Sequence, residues 1–225
     1  MITLMKALIL NCTLKPTPES SNTDILCQKA AAEFEKLGVT TTILRPVDYN
    51  LLPGVASHMG EGDEWQKILD QILDVEIVVI ASPIWVGQLG SVAKRVIERL
   101  NAIFHEKELS DPKTGQFLVY NKVAGALVTG NEDGAHYAIM NILWSMEEFG
   151  FTIPPNVNAY WVGVAGPGPS YAEAGGDRHL YTNKTYKVMV HNLVYFAELL
   201  KEHPIPTDML KIEEEAKKES DEKSS

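Results

Sequence analysis

Thr13, Lys15, Ser20, Ser21, Asn22 and Thr23 crowd into one loop, "CTLKPTPESSNT" at Cys12–Thr23, between a short apolar run and a helix-like stretch. Hydroxyls and amides are donors, Lys15 is the cation among them, and the first amides of a helix point outward along its positive dipole end. That combination suits a terminal monophosphate. An ordinary N-cap at Ser21 or Asn22 needs one residue, whereas this loop is rich in polar ones and is about twice as long as a usual strand-to-helix connection. It contains no glycine, which argues against both the G-x-x-x-x-G-K-[ST] phosphate loop and the G-x-G-x-x-G dinucleotide crossing. A cysteine phosphatase would place its nucleophile at Cys12 but needs an arginine where Pro18 stands. A response regulator needs an aspartate where the chain reads Ala81-Ser82.

Two further stretches carry chemistry. "SPIWVGQLGS", Ser82–Ser91, places Pro83, Ile84, Trp85, Val86 and Gly87 in a loop. Large apolar side chains there fit a flat aromatic ligand or a subunit contact, the plainer reading being that Trp85 packs over the sheet edge. "TGNEDGAH", Thr129–His136, offers Thr129, Gly130, Asn131, Glu132 and Gly134 beside the next helix start. The plainer reading there is a helix capped by Asp133, with His136 an ordinary surface histidine. One histidine with two carboxylates on a loop matches no metal-ligand spacing, so no metal is expected.

The elements that must position these loops alternate. Strands are expected at Leu4–Leu10, Val39–Leu44, Glu76–Ser82, Lys122–Gly130 and Val157–Val164. Helices are expected at Asp24–Leu37, Trp65–Leu73, Ser91–Phe104, Ala135–Phe149 and Thr182–Leu200. Near-continuous apolar strands alternating with helices indicate an α/β fold: a doubly wound five-stranded parallel sheet with helices on both faces. The natural order is 2-1-3-4-5, with a ligand crevice at the carboxyl ends of strands 1 and 3. The unusual loops begin at those ends. Residues 1–206 form the expected domain. The insert 105–121 and the Gly/Pro-rich loop 166–180 exceed usual connection lengths, which marks them as functional or oligomeric. The charged segment 207–225 reads as a solvated helix or a disordered tail, with disorder the expectation.

The chain of 225 residues has a net charge of −10 and no basic patch, which argues against nucleic-acid binding. Its two cysteines do not suggest a disulfide framework. No signal peptide is read at the start and no apolar run approaches the roughly 20 residues of a membrane helix, so a cytoplasmic protein is expected.

Taken together, the three loops resemble those of the flavodoxin-like NAD(P)H-dependent FMN reductases, which include quinone-reductase and iron–sulfur flavoprotein branches. The resemblance spans Lys6 to Leu200. The family's first loop commonly reads S-P-R-x-x-G-N-T. Here Asn22-Thr23 match its end and Lys15 stands near its arginine. "SPIWVGQLGSVAKRVIER" is similar to the family's T-P-x-Y-x-G-x-x-x-x-x-K-x-x-I-D-R, with Trp85 in place of tyrosine, and "TGNEDGAH" is similar to its TG-rich loop. The iron–sulfur branch's cysteine motif is missing.

The resemblance implies FMN, with its phosphate on the first loop (Thr13, Lys15, Ser21, Asn22, Thr23). The ring would lie between the second loop (Pro83, Ile84, Trp85, Val86, Gly87) and the third (Thr129, Gly130, Asn131, Glu132, Gly134). Ring contacts are expected from the backbone amides of Trp85, Val86, Gly87, Gly130 and Asn131. Residues around Phe117 and Tyr171 are expected to wall the substrate side. The resemblance further implies NADH or NADPH as hydride donor, a quinone-like or other small acceptor, and a homodimer or homotetramer. The flavin carries the hard chemistry, so no side chain is assigned as acid or base. The rival readings are a flavodoxin-type electron carrier without a nicotinamide site, and a doubly wound binding protein without flavin.

Overall fold

The computed structural model describes residues 5–166 and 168–222. Five parallel strands form the sheet: β1 (Lys6–Asn11), β2 (Thr40–Leu44), β3 (Ile77–Trp85), β5 (Val123–Gly130) and β6 (Asn158–Val162). A two-residue strand, β4 (Gln88–Leu89), turns back antiparallel on the end of β3. The spatial order β2-β1-β3-β5-β6 is the expected 2-1-3-4-5 order once β4 is set aside.

The inner strands β1, β3 and β5 are largely apolar because helices cover both faces. Leu8, Leu10, Val78, Ile80, Ala126 and Val128 pack with α2 (Trp65–Leu73), α3 (Ser91–Leu100) and α4 (Ala135–Glu148). Ala7, Ile9, Ile77, Val79 and Leu127 turn to α1 (Asn22–Lys36) and α5 (Leu180–Glu202). Alternate residues of one strand thus serve two cores. Gly38 and Gly150, both at positive φ, follow the ends of α1 and α4.

Three expectations change. Strand β3 runs on to Trp85 rather than stopping at Ser82, because the chain there forms a hairpin with β4. The helix expected to reach Phe104 ends at Leu100 and continues as a 3-10 turn over Asn101–Phe104. The segment expected to be disordered forms α6 (Met209–Glu222). The start of α6 is held by the 105–121 insert: the amides of Met209 and Leu210 donate to Thr114 O, and Gln116 Nε2 donates to Ile205 O and Thr207 O, each at 2.8 Å. Leu4, Pro167 and residues 223–225, to which some expectations extended, lie outside the described residues.

The loop between β2 and α2 is wrapped around one buried ion pair. Arg99 and Asp63 are 0% and 1% exposed and meet at 2.6 Å. The rest of the guanidinium donates to Leu52 O, Ala56 O and Ser57 O, and Trp65 stacks 5.5 Å away. The Arg99 hydrogen bonds hold the Asp63 carboxyl well below its ordinary range, against the opposing effect of burial. A depressed folded value means that the stabilisation is present at neutral pH and fades as pH falls through the ordinary carboxylate range toward the folded value. Asp63→Ala, which leaves the guanidinium unpaired, is expected to cost about 3–5 kcal/mol in denaturant unfolding at pH 7. Asp63→Asn is expected to flatten the acid limb of the stability–pH curve.

Candidate functional site

The carboxyl ends of β1, β3 and β5 deliver the three loops to one cleft of about 190 Å³. The first loop contributes Thr13, Leu14 and Lys15, and the start of α1 adds Ser21, Asn22 and Thr23. Pro83, Ile84 and Trp85 come from the second, Thr129, Gly130 and Asn131 from the third, and Ser170 and Tyr171 from the loop after β6. A larger depression, about 590 Å³, lies outside the first loop beside β2. Charged groups there are paired with neighbours in the chain, Arg45 with Asp24 and Asp48 with Thr17, which leaves the smaller cleft as the better ligand site.

Where α1 begins, the donors are organised by the chain itself. Ser21 is the N-cap of α1, its Oγ accepting from Asp24 N at 3.4 Å. Thr13 Oγ1 accepts from Lys15 N at 3.3 Å, and Lys15 Nζ bends back to Ser20 O at 3.0 Å. Thr23 and Thr129, 2% and 3% exposed, share a hydroxyl–hydroxyl bond of 2.9 Å that ties α1 to the end of β5. The first-turn amides of α1 have no carbonyl of their own helix to meet. This set of amides, hydroxyls and one ammonium fits a phosphate monoester.

At the other end the chain makes a strained turn. Val86 lies at φ 53°, rare for a β-branched residue, and Gly87 at φ 73°. The Glu132 carboxylate accepts from Val86 N at 3.1 Å and Gly87 N at 3.0 Å. Strain at one such residue costs about 1–3 kcal/mol. Two charge-assisted bonds, at about 1.5–3 kcal/mol each, can offset it. The amides of Val86 and Gly87, expected as ring contacts, are engaged by Glu132 here. Gly134, at φ 119°, lies against Gly87: an added Cβ would sit 2.5 Å from Gly87 O. Val86, Gly87, Glu132 and Gly134 form a brace outside the cleft lining. Trp85, 53% exposed, stands at its rim, and Ile84 packs beneath Gly130.

The loop after β6 forms a fourth wall. Asn131 Nδ2 donates to Gly168 O at 2.8 Å, and Ala172 N donates to Asn22 Oδ1 at 2.9 Å, so the loop straps the start of α1 to the end of β5. Tyr171 is 1% exposed, lies edge-on to Trp161, and has its hydroxyl pushed up to about 12 by burial. Its length and Gly/Pro content pointed to this loop, whereas nothing in the sequence singled out Leu14 or Ser170. Phe117, also expected here, packs against Phe104, in an insert that enters β5 at its amino end, opposite the cleft. Gly134 rather than Asp133 is the N-cap of α4, and His136 pairs with Tyr160 Oη at 3.1 Å.

The chain belongs to the NADPH-dependent FMN reductase family, whose model matches residues 5–162. It is 40% identical over 226 residues to 8-demethyl-8-aminoriboflavin-5'-phosphate synthase of Streptomyces davaonensis, covering 96% of this chain and 86% of that protein. The crystal structure of RosB with the bound intermediate 8-demethyl-8-formylriboflavin-5'-phosphate superposes with a TM-score of 0.85 at 37% identity, covering 96% of this chain and 87% of that one. A Mycobacterium bovis protein named divalent metal cation transporter MntH is 41% identical over 203 residues, 88% of this chain but 29% of that protein. Among the described residues, no helix is long and apolar enough to cross a membrane.

Gly134→Ala is expected to push the third loop off the Gly87 turn. It should lower stability by about 1–3 kcal/mol in denaturant unfolding and weaken flavin retention in a dialysis assay.

Proposed function

We propose that the chain is an FMN-dependent oxidoreductase that takes hydride from NADH or NADPH and passes it to a quinone-like or other small acceptor. One observation carries the reading: a helix N-terminus rich in phosphate donors and an aromatic-rimmed slot open into the same cleft. When bound, FMN supplies the two-electron chemistry of its ring. Ser21, Asn22, Thr23 and the Thr13–Lys15 turn hold the phosphate. Pro83, Ile84 and Trp85 on one side, with Thr129, Gly130 and Asn131 on the other, orient the ring. Ser170 and Tyr171 exclude water between them. The brace of Glu132 and Gly134 on the Val86–Gly87 turn fixes the width of the ring slot. Association of like chains belongs to the same reading: Tyr137, Met140 and Trp144 are exposed at helical spacing on α4.

A second reading has a specific support. The S. davaonensis relative is named for the synthesis of a modified riboflavin phosphate, and its likeness extends over nearly all of this chain. In that reading the flavin phosphate in the cleft is itself the substrate. The visible spectrum of the purified protein, with the released flavin weighed by mass spectrometry before and after turnover, separates the two. Unaltered FMN with steady NAD(P)H oxidation supports the first reading, and a flavin of changed mass supports the second. A protein that neither carries nor takes up FMN would overturn both. Thr23→Glu, which puts a charge beside the phosphate, is expected to weaken FMN binding at least about tenfold, or ~1.4 kcal/mol. The near-isosteric Thr23→Val should fall between it and the parent protein.

A further inference from the structure

A phosphate loop without glycine must be shaped by something other than free backbone torsions. Arg45, directly after β2, reaches across to it. Its Nη1 donates to Glu19 O at 2.7 Å, Pro16 O at 3.2 Å and Lys15 O at 3.3 Å. Its Nη2 meets Asp24 Oδ1 at 3.3 Å, and that oxygen also accepts from Asn11 Nδ2 at 2.8 Å. The Arg45 side chain is 11% exposed. Three carbonyls of one loop and the first-turn carboxylate of α1 thus converge on a single guanidinium. Asp48, three residues on, holds the same loop by accepting from Thr17 N and Thr17 Oγ1 at 2.8 and 2.7 Å.

We propose that Arg45 is the positioning residue of the phosphate loop, giving this site its preference for a phosphorylated flavin without touching the ligand. The proposal rests on the reading of the cleft as an FMN site. Two physical arguments support it. In a planar trans peptide the carbonyl and the following amide point in opposite directions. With Glu19 O turned to Arg45, the amide of Ser20 must face away from it. With Ser20 O held by Lys15 Nζ, the amide of Ser21 is fixed in the same manner. The second argument is charge. A carboxylate in the first turn of α1 repels an anion bound at that helix end, and Arg45 neutralises Asp24 there. Lysine cannot replace this arrangement, because a point ammonium lacks the planar fork that serves the carbonyls and the carboxylate together.

The test compares the parent protein, Arg45→Met and Arg45→Lys, each stripped of flavin. FMN and riboflavin, which differ by the phosphate alone, are titrated by fluorescence, and amide hydrogen exchange is followed over residues 13–21 without flavin. Arg45→Met is expected to lose about tenfold or more in FMN affinity, with riboflavin affinity within about twofold of the parent. Exchange in the loop should quicken, with Arg45→Lys between the two. If Arg45→Met does not fold, the same comparison is made on Arg45→Lys, where a smaller FMN-selective loss is expected. An unchanged FMN-to-riboflavin ratio in variants of a parent that prefers FMN would overturn the role of Arg45 and leave the flavin site standing. A parent that binds both flavins equally would overturn the phosphate assignment itself, and this proposal with it.

Discussion

A parallel sheet covered by helices on both faces leaves its inner strands no polar side to show to water. Nearly every residue of β1, β3 and β5 is buried, and each of those strands feeds two cores at once. Polar chemistry is thereby confined to the strand ends, where backbone groups leave the ladder. Where successive connections wind to opposite faces, between β1 and β3, the loops diverge and a cleft opens. The position of the site follows from how the core is buried.

What fills that cleft is largely main chain. Its donors at the start of α1 are helix amides and short hydroxyl side chains, and its other end is a slot between two turns. Turns of this kind do not hold their own shape, so charged side chains hold them from behind. Glu132 fastens the Val86–Gly87 turn, and Arg45 and Asp48 fasten the first loop. The charges closest to the cleft thus act on backbone before they act on any ligand.

The strands and their order were legible because continuous apolar runs and alternating helices admit few windings. That three loops meet in one cleft was legible because they are too long or too rich in donors for simple connections. The braces were not. Glu132 meets amides 45 and 46 positions away and Arg45 meets carbonyls up to 30 positions away. Such pairings exist only once the sheet has brought the strand ends together. Nothing local favours valine at the positive φ that Val86 adopts. The insert at 105–121 was unusual enough to attract a functional or oligomeric reading, and in the structure it enters β5 at its amino end and holds the start of α6. The charge of α6 read as disorder, although Lys211–Glu215 and Glu213–Lys217 are paired one turn apart.

The hydroxyl pair of Thr23 and Thr129 limits how many protons the cleft can offer. Two hydroxyls bonded to each other at 2.9 Å commit one hydrogen between them, and either oxygen can be its donor. One hydrogen is left over, on whichever threonine is accepting. A ligand that takes it on the helix side makes Thr129 the donor, and one that takes it on the strand side makes Thr23 the donor. The pair therefore keeps a single hydroxyl donor free, on the helix side or on the strand side according to which threonine accepts.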